Sequence, residues 1–480
     1  MTGRSSVLIL GAGINGAALA RELLLNNVSV RIVDEADLSS GATARSSRLI
    51  HGGLRYLEYG EFDLVRESLA ERTRLLELAP HLVRPLRLFI PVTNRWGGWL
   101  PALRRFFHME GRKRAIKHPR RGLYLVKTGL RFYDAYARDP SLPRHAVHRP
   151  GDPEVPSVAR DRFVALCSYY DAQICFPERF VVDLLEDARQ IAKERGIGFE
   201  VWTYARAERD GAEVTIHTRQ HNGSAENPVA SFRPDAIVNA TGAWVDRTLR
   251  MLGVSGEPLM GGTKGSHLVV HHEGLARLLD GQGLYAEAAD GRPVFVLPFG
   301  NATLIGTTDI PYEGDPREAV ADESEIDYLI EAVNGVVDGV TIDRSDMTLH
   351  YSGVRPLPRA TGSTPAAVTR RHWLERHAGT DIPFFSVIGG KLTTCRSLAE
   401  ESAEVILGAL GRERTEDSRH RYLPGGVGYP ETEEELNARV RAMADRWNVD
   451  TRVVTYLWHI LGTRTEEALG AVEDPECEML

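Results

Sequence analysis

Glycines and acids near the start of the chain have the types and spacing needed to hold a dinucleotide. The apolar residues 6–10 lead into Gly-x-Gly-x-x-Gly, and a second apolar run, residues 29–33, ends in two acids. The first two glycines allow a tight turn and close approach of the backbone to a pyrophosphate, and the third lets a helix pack on a strand. N–H groups at the helix start favour phosphate, and an acid after the second strand can bind a ribose. The pattern predicts dinucleotide contacts from Gly11, Gly13, Ile14, Asn15, Gly16, Asp34 and Glu35.

A segment rich in small, hydroxyl-bearing and basic residues, 39–58, follows these acids. Small residues let the backbone approach a flat or anionic ligand, while hydroxyls and arginines donate to phosphate oxygens. The alternative is a solvated loop with a few arginines, but this composition directly after a nucleotide-binding unit favours a ligand. The segment adds six predicted cofactor contacts: Thr43, Ser46, Ser47, Leu49, His51 and Gly52.

The elements that must position these residues follow from hydrophobic periodicity. Residues 6–35 form a βαβ pattern, and helical patterns recur at 63–79, 177–196, 322–336 and 396–410. Residues 262–350 indicate strands with turns, so the predicted fold class is α/β (α+β overall), with a mainly antiparallel second sheet. A further apolar strand, 235–240, ends in Ala-Thr-Gly and predicts a third approach to the same ligand through Ala240, Thr241, Gly242 and Trp244.

Ordered motifs from about residue 6 to residue 426 resemble FAD-dependent glycerol-3-phosphate dehydrogenases of the aerobic type. The likeness begins with SSRLIHGGLRYLE and continues through YDAQ, NATGAW, KGSH, IGTTD, YSGVRPL, GGKLTT and LPGG. The resemblance implies FAD as cofactor, in a Rossmann-like domain of the D-amino-acid-oxidase/glutathione-reductase type. It also places near the cofactor Gly353, Gly389, Gly390, Lys391, Leu392 and Thr393.

The resemblance implies roles for several substrate-side residues. Arg55, Arg355 and Arg370 correspond to substrate-contacting arginines, with Arg355 beside the reacting oxygen and Arg370 the first choice for the phosphate; the alternative for each is a salt bridge. Lys264 and Thr308 are also predicted to bind the substrate. An imidazole is a suitable base for the hydroxyl proton, so His51 and His267 are both predicted acid/base residues, with a structural role as the alternative.

The expected domain division follows the motif positions. Residues 1–85, 155–250 and 351–410 are assigned to the FAD-binding domain, and 86–154 with 251–350 to the substrate domain. Residues 411–480 form a helical C-terminal region, which begins a helix with the capping box at 432–435. The family usually continues further after its LPGG motif, so this region is interpreted as a shortened domain.

Composition excludes several classes of function. The net charge of −8 argues against nucleic-acid binding, and the four cysteines contain no CxxC pair, so neither a disulfide framework nor a metal site is predicted. The chain enters its first strand too early for a signal peptide, and no apolar run is long enough to span a bilayer. We expect a cytoplasmic protein, with attachment to the inner face of the cytoplasmic membrane as an option.

Residues 95–121 interleave aromatic and basic side chains, with one acid, Glu110. Such a stretch suits an in-plane contact with a membrane surface, as does the family's transfer of electrons to quinone; a solvated basic excursion is the alternative. The oligomeric state is left open, with a dimer as one option.

The predicted function is FAD-dependent oxidation of sn-glycerol 3-phosphate to dihydroxyacetone phosphate. Residues 259–263 lack the basic residue that the family commonly carries before its KGSH motif. This departure leaves room for another polyol phosphate, such as erythritol phosphate. An amine or amino-acid oxidase and a redox-silent FAD protein are the remaining alternatives.

Overall fold

The structure, a computed structural model, describes residues 5–97, 121–218, 227–359 and 371–472. Two large β-sheets and a small one form its framework. Their strands are β1 Ser6–Leu10, β2 Ser29–Val33, β3 Leu49–Ile50, β4 Val83–Val92, β5 Ala146–His148, β6 Ala165–Ile174, β7 Phe199–Trp202, β8 Ala205–Asp210, β9 Glu213–Thr218, β10 Asn227–Phe232, β11 Ala236–Asn239, β12 Thr263–Val270, β13 Gly283–Glu287, β14 Pro293–Phe299, β15 Ala302–Gly306, β16 Ile310–Pro311, β17 Met347–Arg355, β18 Trp373–His377 and β19 Phe384–Ile388.

The helices confirm the predicted helical patterns within two residues at each end. The α-helices of the described residues are α1 Ile14–Leu25, α2 Phe62–Leu78, α3 Leu123–Ala137, α4 Pro177–Arg195, α5 Val245–Met251, α6 Glu273–Leu279, α7 Glu323–Asn334, α8 Cys395–Ala409, α9 Glu433–Trp447, α10 Thr451–Leu461 and α11 Thr465–Val472. α1 packs against both α4 and α8. α4 shows why such patterns end where they do: proline fits its first turn, and Gly196 ends it in the left-handed conformation.

The first sheet has the order β18-β19-β11-β1-β2-β7, and its strands are parallel except for β18 at one edge. Every residue of β1 from Val7 to Leu10 is buried, as expected for a central strand covered by other elements on both faces. Its alternate residues contribute to two different apolar clusters, one on each side of the sheet. The carboxyl ends of β1, β2 and β11 therefore meet at one edge, where open α/β sheets bind their ligands.

The second, ten-stranded sheet is mainly antiparallel, with the path β16-β12-β15-β14-β13-β4-β6-β3; β17 pairs with β12, and β5 with β6. The β4–β13 pair is parallel. Apolar clusters cover both faces, and Ile326 and Leu329 of α7 lie in one of them. Along β12, Leu268 and Val270 belong to the α7 side while Val269 belongs to the other. This alternation also decides which polar residues of β12 reach the cleft described below.

Sheet membership departs from the predicted division of the chain at β3, β6 and β17. β3, β6 and residues 351–355 of β17 lie in ranges assigned to the FAD-binding domain, yet each of these strands pairs within the second sheet. β6 pairs with β4 along ten residues, from Val83 with Ile174 to Val92 with Ala165. An apolar run cannot by itself indicate which sheet a strand joins, because the partner strand is distant in sequence. The chain crosses between the two sheets more often than the predicted boundaries allow.

The C-terminal region is helical, as expected. The Thr432 side chain accepts from the N–H of Glu435 at the start of α9, and Asp450 caps α10 by accepting from the N–H of Arg452. Among the helices in the described ranges, none combines the length and the apolar character needed to cross a bilayer. Most of the predicted membrane-contact stretch, residues 98–120, lies outside the described residues.

Candidate active site

A long cleft opens at the carboxyl ends of the parallel strands and extends to the face of the second sheet. Its walls include Asp34 after β2, Trp244 after β11, and His267 and Arg355 on the second sheet. The cleft thus joins the predicted dinucleotide fingerprint to the predicted substrate residues. Of the predicted cofactor residues, those that line it are Gly11, Gly13, Ile14, Asn15, Asp34, Glu35, Thr43, Ser46, Ser47, Leu49, His51, Ala240, Thr241, Gly242, Trp244, Gly353, Gly390, Lys391, Leu392 and Thr393.

The glycines of the fingerprint are required by close backbone packing. Gly11 has φ +106°, and a Cβ there would lie 2.6 Å from the carbonyl oxygen of Ala240. A Cβ on Gly16 would overlap the carbonyl oxygen of Gly11. Gly16 is therefore a packing residue: it does not line the cleft, but it lets α1 start against the turn so that its N-terminus faces the cleft.

The two acids after β2 differ in their surroundings. The carboxylate of Asp34 accepts from the N–H groups of Ala12 at 2.7 Å and Ala36 at 2.9 Å, and burial raises its pKa above the ordinary value. It ties the end of β2 to the glycine turn while lining the cleft, where a ribose hydroxyl can donate to it. Glu35 instead pairs with Arg317 at 2.5 Å.

The polar segment 39–53 runs along the cleft and is fixed at both ends. The hydroxyl of Thr43 accepts from the N–H of Ile14 at the start of α1, at 3.2 Å. Further on, the N–H of His51 donates to the Thr393 hydroxyl at 3.0 Å, which joins the segment to the turn after β19. The adjacent Lys391 donates from Nζ to the Ser68 hydroxyl at 3.0 Å. Residues 39–53 thus form one wall of the cleft. Contacts with the start of α1 and with the turn after β19 hold this wall in place.

A buried hydrogen-bond network, which the sequence analysis did not predict, fixes the backbone at Gly52. The Gly52 N–H donates toward the Tyr133 hydroxyl and the Asp171 carboxylate, which are themselves hydrogen-bonded, and Arg72 pairs with Asp171 at 3.2 Å. All three side chains are buried. Asp171 lies in the YDAQ motif, so a polar residue in an otherwise buried strand was the available signal.

His267 lies in the cleft as a buried, neutral imidazole. Nε2 is 2.8 Å from the Ser47 hydroxyl, and the ring stacks on Tyr351 with centroids 4.9 Å apart. Burial, together with the positive charges of Arg355 and Arg48, lowers the pKa of His267 to about 3. The ring therefore stays unprotonated at neutral pH and can accept a hydrogen bond.

This low pKa predicts a pH-dependent contribution of His267 to stability. Below about pH 6.5 the His267 imidazole of the unfolded chain binds a proton, whereas in the folded protein it stays neutral down to about pH 3. The contribution of His267 to folding stability is therefore complete above pH 6.5 and declines as the pH falls towards 3. Between pH 7 and pH 5 the loss from this group is about 2 kcal/mol. Urea unfolding of the wild type and His267→Gln at both pH values should show that the variant lacks this part of the decline. His271→Asn, at an exposed histidine, is the control and should retain it.

Arg355, at the end of β17, is oriented by the second sheet. Its Nη1 donates to Asp309 at 2.9 Å, and its Nη2 to the Thr307 hydroxyl and the Thr308 carbonyl, both at 3.0 Å. These contacts fix the plane of the guanidinium at the cleft wall. Because arginine stays charged and its fork matches a pair of oxygens, this position suits recognition of an anion or a developing alkoxide.

Lys264 and Thr308 require a correction, because their side chains point away from the cleft. Lys264 Nζ lies 2.7 Å from the carboxylate of Glu325 on α7, and the Thr308 hydroxyl donates to the same carboxylate at 2.6 Å. Residues 264 and 266 of β12 face α7, whereas 263, 265 and 267 face the opposite side, where the cleft lies. The predicted substrate contacts of these two residues are therefore replaced by structural ones.

The remaining predicted residues are distributed as follows. Arg55 lies in a 3₁₀ turn, Leu54–Tyr59, directly after the cleft wall. Gly52 and Gly389 are not on the cleft lining; Gly389 has φ +74° and packs against the backbone of Arg371. Arg370 lies outside the described residues.

A second set of residues that the sequence analysis did not predict lies along one side of the cleft. The carboxylate of Asp315 accepts from Trp244 Nε1 at 3.2 Å and pairs with Arg247 at 2.9 Å, while Arg317 pairs with Glu35. The turn Pro316–Glu318 of the second-sheet half thereby reaches the ends of β2 and β11. Arg317 is exposed, and Glu35, Arg247 and Asp315 are half-buried. Their spacing in the sequence does not distinguish them from ordinary surface ion pairs, so the sequence held no signal for them.

The residues present fit FAD. The pyrophosphate and ribose end of a dinucleotide matches a turn of glycines without room for side chains, the start of α1 and the acid after β2. The cleft then runs to the second sheet, so the ring system of an extended dinucleotide can reach the substrate side. The residues that would hold FAD are the glycine fingerprint, segment 39–53 and the turn at 390–393.

Comparison with known proteins gives the same result. Residues 6–396 match the family model described as FAD dependent oxidoreductase. A Synechocystis sp. glycerol-3-phosphate dehydrogenase is 33% identical, over 97% of this chain and 80% of its own length. The Brucella abortus D-erythritol 1-phosphate dehydrogenase is 32% identical (98% and 86%), and the Escherichia coli aerobic glycerol-3-phosphate dehydrogenase 34% (88% and 77%).

Solved structures share the fold. A glycerol-3-phosphate dehydrogenase from Bacillus halodurans complexed with FAD has a TM-score of 0.69 at 20% identity, over 99% of this chain and 79% of that chain. An L-alpha-glycerophosphate oxidase from Mycoplasma pneumoniae with FAD bound has a TM-score of 0.57 at 17% identity, over 88% and 99%. Family match, identity and site geometry agree: the chain belongs to the FAD-dependent oxidoreductases, in the group that contains the aerobic-type glycerol-3-phosphate dehydrogenases.

Proposed function

We propose that this protein oxidises sn-glycerol 3-phosphate to dihydroxyacetone phosphate. The observation that carries the proposal is the fixed guanidinium of Arg355 at the substrate end of a dinucleotide cleft, in a chain whose relatives are named for this reaction. FAD, when bound, accepts the hydride that leaves the alcohol carbon. The protein has to orient the alcohol, receive its hydroxyl proton and hold the phosphate.

The described residues offer candidates for the first two of these tasks, whereas Arg370, the first choice for the phosphate, lies outside them. Arg355 stabilises negative charge on the substrate oxygen as the proton leaves. The proton goes to a neutral imidazole: His51 and His267 both line the cleft, and Nε2 of His267 already lies at the Ser47 hydroxyl. Tyr351 and Ser47 fix the orientation of the His267 ring. Its pKa of about 3 makes His267 a weak proton acceptor and suits it instead to accepting a hydrogen bond, which leaves His51 as the other candidate base.

Electron transfer to a membrane quinone, from a cytoplasmic protein attached to the inner face of the membrane, is part of the proposal. Its support is the aromatic and basic sequence of residues 95–121 and the exposure of Trp96, whose side chain is 72% accessible and whose ring lies tilted against Tyr124.

D-erythritol 1-phosphate is the second candidate substrate. The Brucella abortus enzyme named for it is 32% identical over 98% of this chain, a likeness comparable with that of the glycerol-3-phosphate dehydrogenases. The absence of a basic residue at 259–263 also favours a changed substrate end. Both substrates present a secondary alcohol and a phosphate, so the same chemistry serves either.

The test is anaerobic mixing of the FAD-loaded protein with each polyol phosphate, following flavin absorbance near 450 nm. We expect rapid bleaching by sn-glycerol 3-phosphate and slower bleaching by D-erythritol 1-phosphate; the reverse order would select the second candidate. No bleaching by either, with a flavin that dithionite still reduces, would contradict the proposal. Bleaching by an amine or amino acid would place the protein among the oxidases instead.

A further inference from the structure

One arginine of the cleft differs from the others in its partners. In the described part of the chain, five other arginines line the cleft, and each has a carboxylate oxygen within 2.9 Å: Arg48 with Glu178, Arg206 with Glu208, Arg247 with Asp315, Arg317 with Glu35 and Arg355 with Asp309. Arg45 has none. Its Nη1 donates to the carbonyl oxygen of Ser352 at 3.3 Å, and its other donors face no acceptor among the described residues.

The position of Arg45 is fixed by the backbone around it. Its N–H donates to the Gly41 carbonyl, and a Cβ on Gly353 would lie 2.8 Å from both its Cβ and its carbonyl oxygen. The residue is half-buried. Arg45 is thus packed against β17 rather than extended into solvent from a loose loop.

Arg45 and Arg355 pack on two glycines that are paired across neighbouring strands. Gly353 of β17 is in register with Gly265 of β12, and both line the cleft. Gly353 packs against Arg45, whereas a Cβ on Gly265 would overlap Nη2 of Arg355. Because these two glycines carry no side chains, Arg45 and Arg355 can both pack closely against the same pair of strands at the wall of the cleft.

We propose that Arg45 binds a phosphate group in this cleft. No neighbouring carboxylate offsets the positive charge of this guanidinium, and its planar fork can donate two parallel hydrogen bonds to phosphate oxygens. Two ligands carry that group here: the diphosphate of FAD, which rests on the family alone, and the substrate phosphate, which rests on the proposed function. The chemistry of recognition is the same for both.

Arg45→Gln tests the proposal with two titrations, and Arg277→Gln, at a 79% exposed side chain outside the cleft, is the control. The apoproteins are titrated with FAD, followed by flavin fluorescence, and the holoproteins with inorganic phosphate, followed by the visible flavin spectrum. Losing charge-assisted hydrogen bonds should weaken one affinity by about 10- to 100-fold, and Arg45→Lys should recover part of it.

Each outcome has one meaning. Weaker FAD binding assigns Arg45 to the diphosphate; weaker phosphate binding with unchanged FAD affinity assigns it to the substrate phosphate. Unchanged FAD affinity overturns the proposal if phosphate affinity is also unchanged, or if the wild-type holoprotein binds no phosphate. Failure of the proposed function would show itself separately, as absence of flavin reduction by polyol phosphates, which neither titration measures.

Discussion

Replacing Arg355 by alanine is expected to slow flavin reduction by sn-glycerol 3-phosphate by about 10²- to 10³-fold, while the protein keeps its FAD. The large effect follows because a positive charge that is already held in place stabilises a developing alkoxide without the reorganisation that water would need. FAD is retained because the hydrogen bonds of Arg355 described above go to the second sheet and its loops, not to the dinucleotide fingerprint.

Stopped-flow absorbance near 450 nm under anaerobic conditions measures this effect directly. Arg355→Lys keeps the charge but loses the fork, so it should fall between alanine and the wild type. Arg277→Ala, at an exposed arginine remote from the cleft, controls for the general loss of a positive charge. Reduction of Arg355→Ala at the wild-type rate would remove this arginine from the reaction.

The dinucleotide half of the site could be predicted because its chemistry is local. Gly11, Gly13 and Gly16 lie within one turn and one helix start, so their spacing reports their geometry directly. Asp34 could be predicted because it is the first residue after the second strand. Such residues need no knowledge of how distant parts of the chain pack. The structure places Gly11, Gly13 and Asp34 on the cleft lining, and Gly16 off it as a packing residue.

The substrate half depends on pairing between distant strands, which spacing alone does not report. Lys264 and His267 lie in the same motif, yet only His267 faces the cleft, because side chains alternate along β12. The register of β12 on β17 and the packing of α7 decide which face is which. A one-residue shift in that assignment reverses the set of predicted contacts.

Residues that fix the backbone around the cleft also could not be predicted from the sequence. Asp171 and Tyr133 come from β6 and α3, hydrogen-bond directly to each other, and both accept from the N–H of Gly52. Asp315 and Arg317 belong to the second-sheet half but contact the dinucleotide half. In each case the informative quantity is a distance between elements that are remote in sequence.

Gly16→Ala is expected to yield a protein that is isolated without FAD and unfolds at a clearly lower temperature. The added Cβ would overlap the carbonyl oxygen of Gly11, and Ile9 lies 3.4 Å away on the other side. Because backbone atoms cannot rotate aside as a side chain can, either α1 or the Gly11 turn has to shift, at a cost of about 1–3 kcal/mol or more. Either shift moves the helix N-terminus away from the phosphate position that the fingerprint sets.

The ratio of flavin absorbance to protein absorbance after purification and a thermal unfolding curve measure both effects. Gly408→Ala is the matched control, because Gly408 lies in α8 and a Cβ there meets nothing within 4 Å. This variant should bind FAD normally and gain up to about 1 kcal/mol in stability from helix propensity. If Gly16→Ala instead bound FAD stoichiometrically at an unchanged unfolding temperature, close packing of α1 on the glycine turn would not be what holds the cofactor, and the cleft would owe its affinity to segment 39–53.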